Sequence, residues 1–131
     1  MRALETIVAT RVVATPAAID AFTVGAGAAA AVLRLAPDDA LVLGALDAMS
    51  LTIDDPHAIV VVEHGFSGVW LAPDAVDDIL GPFIEWSVPA ARPALAQGLI
   101  AGVPAKLWLT ANRVLLACPT AYAHDLHERL S

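Results

Sequence analysis

The sequence predicts an α+β domain, an antiparallel sheet with helices packed on one face as a two-layer sandwich. β-branched runs recur between Pro, Gly and Asp signals, which is the punctuation of short strands. Two segments carry helix-start chemistry with apolar residues on one face. The chain has 131 residues, 58% of them apolar and 16% charged, enough for a contiguous core and too apolar for disorder.

Leu4 to Ala14 is rich in Thr, Ile and Val and reads as a strand. Thr15-Pro16 opens a helix, because Thr caps and Pro suits the first turn; Ala17, Ile19 and Phe22 follow, and Gly25 and Gly27 weaken its end. Ala31 to Leu43 holds two apolar runs around Pro37-Asp38-Asp39, a hairpin with a preset turn. Asp54-Asp55-Pro56 marks a loop. Ala58 to Val62 and Phe66 to Leu71, separated by His64-Gly65, read as a second hairpin.

Ala72-Pro73-Asp74 opens a second helix, with Asp74, Asp77 and Asp78 suited to its positive end and Val76, Ile79 and Leu80 on one face. Gly81-Pro82 stops it. After the connector containing Pro89 and Pro93, strands return at Ala94 to Ala101, Ala105 to Thr110 and Val114 to Ala117, the last two joined by a turn at Ala111-Asn112-Arg113. In the last segment Tyr122, Leu126 and Leu130 recur about four apart, an amphipathic helix. Periodicity places Val60, Val62, Val69, Leu71, Ile79, Leu107, Leu109, Leu115 and Leu126 in the core. No Ser/Gly linker divides the chain, so residues 1–131 are expected to form a single domain. Leu-Ala-Pro-Asp occurs at Leu35 to Asp38 and again at Leu71 to Asp74, which is read as coincidence in an Ala-rich chain, with a remnant of duplication as the alternative.

Charge excludes some functions. A net charge of −7 and a pI near 4.7, with Lys106 and six scattered arginines as the cations, argue against nucleic acid and against an anionic membrane surface. The mean hydropathy of +0.69 owes much to Ala, and Ala21 to Leu33 is too short an apolar stretch to span a bilayer. The start, Met1 to Glu5, lacks the pattern of a secretory signal, so a cytoplasmic location is expected. The single Cys118 excludes an intrachain disulfide and reads as a buried thiol.

The chemistry-bearing residues form no recognisable catalytic, cofactor-binding or metal site. His124 and His127 are three apart on the last helix, but Asp125 and Glu128 beside them suit a solvated face as well as a metal. His64 reads as a turn residue. Asp38-Asp39, Asp54-Asp55 and Asp77-Asp78 are sequence neighbours, which general acid–base chemistry does not favour. Gly25-Ala26-Gly27 copies the start of a dinucleotide fingerprint, with Asp47 downstream, but a helix precedes it where a strand is required. None of Ser50, Ser67, Ser87 and Ser131 lies in a nucleophile elbow. Trp70 and Trp108 read as core. Trp86, in the connector next to Glu85, reads as core with an interface anchor as the alternative.

Leu33 to Leu43 resembles the Pro-Asp hairpin of the sarcosine oxidase gamma subunit family, within the folate-binding, aminomethyltransferase-like group that includes the glycine cleavage T-protein. Gln97 to Leu109, Val114 to Cys118, Pro119 to Ala123 and Leu126 to Leu130 resemble the strand, strand, Tyr-Ala, helix ending of that group. Val60 to Leu80 is similar to its two strands followed by a helix, so the resemblance covers roughly residues 31–130. It implies a fold like the aminomethyltransferase folate-binding domain and a non-catalytic subunit, with folate and flavin held by a larger oxidoreductase partner. No catalytic residue transfers. A stand-alone binder of a small molecule such as a folate, and a homo-oligomeric structural domain, are the alternatives.

Overall fold

Nine strands, sorted into two antiparallel sheets, form the framework of a computed structural model that describes residues 1–26, 31–44 and 53–131. The elements are β1 (Glu5–Thr6), β2 (Ala9–Val13), α1 (Pro16–Ala26), β3 (Val32–Ala36), β4 (Asp39–Leu43), β5 (Ile59–Glu63) and β6 (Phe66–Leu71). They continue with β7 (Ala94–Ile100), β8 (Val103–Leu109), β9 (Val114–Pro119) and α2 (Ala123–Leu130). A π-helical turn (Val76–Leu80) and a 3-10 turn (Gly81–Phe83) lie between β6 and β7, and a second 3-10 turn (Thr120–Tyr122) leads into α2. The α+β class expected from the sequence holds. Two compact units are formed, one from Met1–Thr6 with Gly65–Ser131 and the other from Ile7–His64.

In the unit Ile7–His64 the strand order is β3-β4-β2-β5, all antiparallel. β2 is central, with Val12 opposite Ala40 on one side and Val60 on the other. Helix α1 starts where Thr15-Pro16 predicts: the Thr15 hydroxyl accepts the Ala18 N–H at 3.3 Å, satisfying one of the donors that a helix start leaves open. Ala18 and Ile19 of α1 pack on Val12, Val32, Ala40 and Val42 to make this unit's core. The hairpin at Pro37-Asp38 is present, with a register shift between Arg34 and Ala36.

In the other unit the order is β1-β6-β9-β8-β7. Strand β8 alternates cleanly, with Val103, Ala105, Leu107 and Leu109 buried. Those residues share a face with Val114, Leu116 and Cys118 of β9, and the layer over them comes from Val76 and Leu80 of the π-helical turn and Leu126 and Leu130 of α2. Helical elements therefore cover one face of this sheet. β9, between β6 and β8, is buried from Val114 to Cys118 without alternation. β7 and β8 join through Ala101 and Gly102, both left-handed (φ 51° and 79°), the backbone of a two-residue hairpin turn that matches strand twist.

Four expectations need correcting. Leu4 to Ala14 is not one strand: it breaks at Ile7-Val8, and β1 and β2 join different sheets. β5 and β6 are strands but not a hairpin, since β5 pairs with β2 and β6 with β1 and β9. His64-Gly65 is thus a crossing point between sheets, and a run of β-branched residues does not say which neighbour it will pair with. The second helix is only the π-helical turn, and Gly81-Pro82 continues it as a 3-10 turn. In the predicted core, Val69, Leu107, Leu109, Leu115 and Leu126 are buried, but Val62 is 54% exposed because β5 is an outer strand; Val60, Leu71 and Ile79 are half-buried. The two Leu-Ala-Pro-Asp segments fall in different settings, a hairpin turn and a strand exit. Gly27 and Asp47 lie outside the described residues.

Candidate functional site

Among the described residues, a concave feature lies at the β7 edge of the five-stranded sheet. The 3-10 turn brings Pro82 and Phe83 beside the end of β7, and the connector after it lays Trp86 across Gly98. The indole N–H donates to the Leu99 carbonyl at 2.8 Å, and the Ala101 N–H donates to the Phe83 carbonyl at 3.1 Å. From the other side Arg129 of α2 donates to the Ala101 carbonyl at 2.7 Å. The result is an open cleft of about 490 Å³ lined by Phe83, Glu85, Trp86, Leu99 and Gly102, with Phe83 and Leu99 exposing 36% and 57% of their surface. Its walls are apolar with one carboxylate, a lining that seats an apolar side chain or a small apolar ligand.

Sequence alone assigned Trp86 to core or interface, and it is half-buried at this rim. What it missed was Phe83 and Leu99, which the connector brings together beside Gly98, where a side chain would collide with the Trp86 indole. Trp70 and Trp108 are half-buried, neighbours through Leu115 on the sheet face opposite the α2 layer. The Arg113 guanidinium stacks on the Trp70 ring with its carbon 3.7 Å from the ring centre.

The other candidates are dispersed. His124 faces Glu128 at 3.1 Å on the exposed side of α2, whereas His127 Nε2 lies 2.9 Å from the Met1 carbonyl, so the two rings take different partners. His64 is exposed beyond β5. Asp39 takes a two-pronged bond from Arg11 (Nε to Oδ1 3.0 Å, Nη2 to Oδ2 2.6 Å), while Asp38 sits in the hairpin turn. Glu63 is the second partner of Arg11, at 3.5 Å, so one cation ties β2 to β4 and β5; the hydrogen bond to Asp39 chiefly raises its pKa. Asp55 accepts the N–H groups of His57 (2.8 Å) and Thr15 (3.0 Å), which hold its carboxyl below the usual range. Asp77 and Asp78 are exposed on the π-helical turn.

Ser67 is buried and shares a 3.0 Å hydrogen bond with the Thr120 hydroxyl; Ser131 donates to the His127 carbonyl; Ser87 is exposed, and Ser50 lies outside the described residues. Cys118 is buried in the core, and desolvation pushes its thiol pKa up, away from the reactive thiolate. Gly25 lies inside α1. Among the described residues no group of three His, Cys, Asp or Glu is placed to hold a metal ion, and no helix is long and apolar enough to cross a membrane.

Two antiparallel sheets, one faced by α1 and the other by α2 and a π-helical turn, place the chain among α+β proteins whose strands far outnumber their helices. A solved structure with this fold is a chain of the heterotetrameric sarcosine oxidase from Corynebacterium sp. U-96, in complex with pyrrole 2-carboxylate. The match has a TM-score of 0.73 and 16% sequence identity, and covers 97% of this chain and 79% of that one. No protein-family model and no curated protein matches the chain.

Proposed function

We propose that the chain is a non-catalytic subunit of a sarcosine-oxidase-like complex, resembling the gamma subunit, and that it packs against a larger oxidoreductase partner. The observation that carries this reading is the fold likeness, over 97% of the chain, to one chain of a heterotetrameric enzyme. The motif order over residues 31–130 points the same way. So does the dispersal of the candidate groups: His124 and His127 diverge, Asp39 and Asp55 are committed to structural bonds, and Cys118 is buried. Flavin and folate belong, in this reading, to the partner. Gly25 within α1 offers a cofactor phosphate no loop at a helix start, and the cleft beside Trp86 has a carboxylate where a phosphate or a folate tail would need a cation. The setting is cytoplasmic.

A second reading, a stand-alone binder of a small apolar molecule, has the Trp86 cleft in its favour. One experiment separates the two. The chain is expressed alone and with the products of its neighbouring genes, its visible spectrum is recorded, and peroxide release is assayed with N-methylated amino acids. The subunit reading expects a colourless, inactive chain that copurifies in fixed ratio with a yellow oxidase. A yellow isolated chain, or turnover that persists through purification, overturns it.

A further inference from the structure

The connector that follows the 3-10 turn shapes the cleft beside β7. Ile84 has extended backbone (φ −111°, ψ 124°) and packs against the core of its unit. Its two neighbours therefore stand on the other side of the chain, and Phe83 and Glu85 are both exposed and both line the cleft. Trp86 makes the next wall. Its ring atoms Cε2, Nε1 and Cζ2 lie where a Gly98 side chain would be, and its N–H is held by the Leu99 carbonyl at 2.8 Å. The indole is thus fixed before any ligand arrives.

The chemistry of these walls selects an occupant. Two aromatic rings and the exposed Leu99 offer apolar contact, and the ring faces carry partial negative charge. Among the described residues, no hydrogen bond or ion pair engages the Glu85 carboxylate. Arg129, the cation beside Gly102, is committed to the Ala101 carbonyl at 2.7 Å. A neutral apolar molecule seated here would desolvate Glu85 and give it nothing in return. An anion would be repelled by Glu85 and by the net charge of −7. A bare ammonium holds its water strongly. A cation covered by alkyl groups has neither defect: its methyl surface suits the rings and Leu99, and its charge suits the rings and Glu85.

We propose that this cleft binds a small N-alkylated ammonium cation from solution, with Phe83 and Trp86 as aromatic walls and Glu85 as the counter-charge. Its volume of about 490 Å³ falls among sites that take whole small molecules, roughly 300–1,000 Å³. The inference rests on the second reading only for the cleft itself, and it replaces a neutral apolar ligand by a charged one. It holds whether or not the chain copurifies with an oxidase.

The test uses the full chain and two probes of the same shape, choline and the neutral alcohol in which carbon replaces its nitrogen, with matched sodium chloride as the ionic control. Binding is read from the Trp86 indole N–H resonance. Choline is expected to shift it and to bind about tenfold more tightly than the neutral alcohol, from two aromatic contacts and one exposed charge pair. Glu85→Gln, at an exposed position, should keep the parent melting temperature and lose most of that preference. Phe83→Leu should weaken choline about threefold and leave the alcohol unchanged. Equal binding of the two probes would overturn the proposal and leave the apolar-ligand reading standing, whereas no shift with either probe would remove both. Unchanged choline binding in Glu85→Gln also overturns it. So does a blocked peptide with one trimethylated lysine that binds more tightly than choline, since the occupant would then be a side chain of another protein.

Discussion

Gly98 is glycine because an indole occupies the space a side chain would need. A Cβ placed there would stand 2.6 Å from two atoms of the Trp86 ring, which its bond to Leu99 holds in place. We predict that Gly98→Ala destabilises the chain by about 1–3 kcal/mol, the usual range for overpacking. Thermal melting measures the loss, and a red shift of tryptophan emission should accompany it. In a Trp86→Ala background the same substitution should cost little, and a full cost there would mean that the strain lies elsewhere. The cleft depends on this contact, because Trp86 is both its wall and the screen over the end of β7. None of this could be read from Gly98 alone, since Trp86 reaches it through a connector without regular periodicity.

At the scale of elements, legibility followed periodicity. β8 shows alternation in Leu107, Trp108 and Leu109, β9 is a continuous apolar run, and both were readable. Thr15-Pro16 fixed the start of α1 through capping chemistry that operates within one turn. Pairing was not readable: Ile59 to Val62 and Phe66 to Leu71 have the composition of a hairpin, yet they join separate sheets, and only tertiary packing decides that. The π-helical turn was missed for a related reason, since Val76, Ile79 and Leu80 suit a helical face whether or not the helix continues. In the candidate site, Trp86 was singled out by its place in the connector, but Phe83 and Leu99 come together only in three dimensions. Leu109 belongs to the legible part and is fully buried against the α2 layer. Leu109→Asp is therefore expected to abolish folding, because an unpaired buried charge costs several kcal/mol. A well-dispersed amide spectrum or an unchanged melting temperature for that variant would refute the placement.

Across the whole molecule the dominant property is negative charge, −7 with seven cations among 131 residues. Several of those cations are engaged internally: Arg11 with Asp39 and Glu63, Arg34 with Asp20, Arg113 over Trp70, and Arg129 on the Ala101 carbonyl. Phosphate neutralisation needs clustered, available cations, so we predict no measurable binding to duplex or single-stranded DNA at physiological salt. Fluorescence anisotropy with labelled oligonucleotides tests this, and micromolar affinity that falls steeply with salt would contradict it.

The pairing of β1 with β6, Thr6 opposite Ser67, also sets a timetable for synthesis. β1 is an outer strand of a sheet whose other members all follow the Ile7–His64 unit in the chain. Between the two, the whole of Ile7–His64 emerges with its own sheet and helix, able to close while Met1–Thr6 waits. Joining Thr6 to Ser67 then closes one long loop, whose entropic cost grows only with the logarithm of its length and is smaller if the intervening unit is already compact. The enclosed unit can thus be complete before the sheet that β1 belongs to has its other strands.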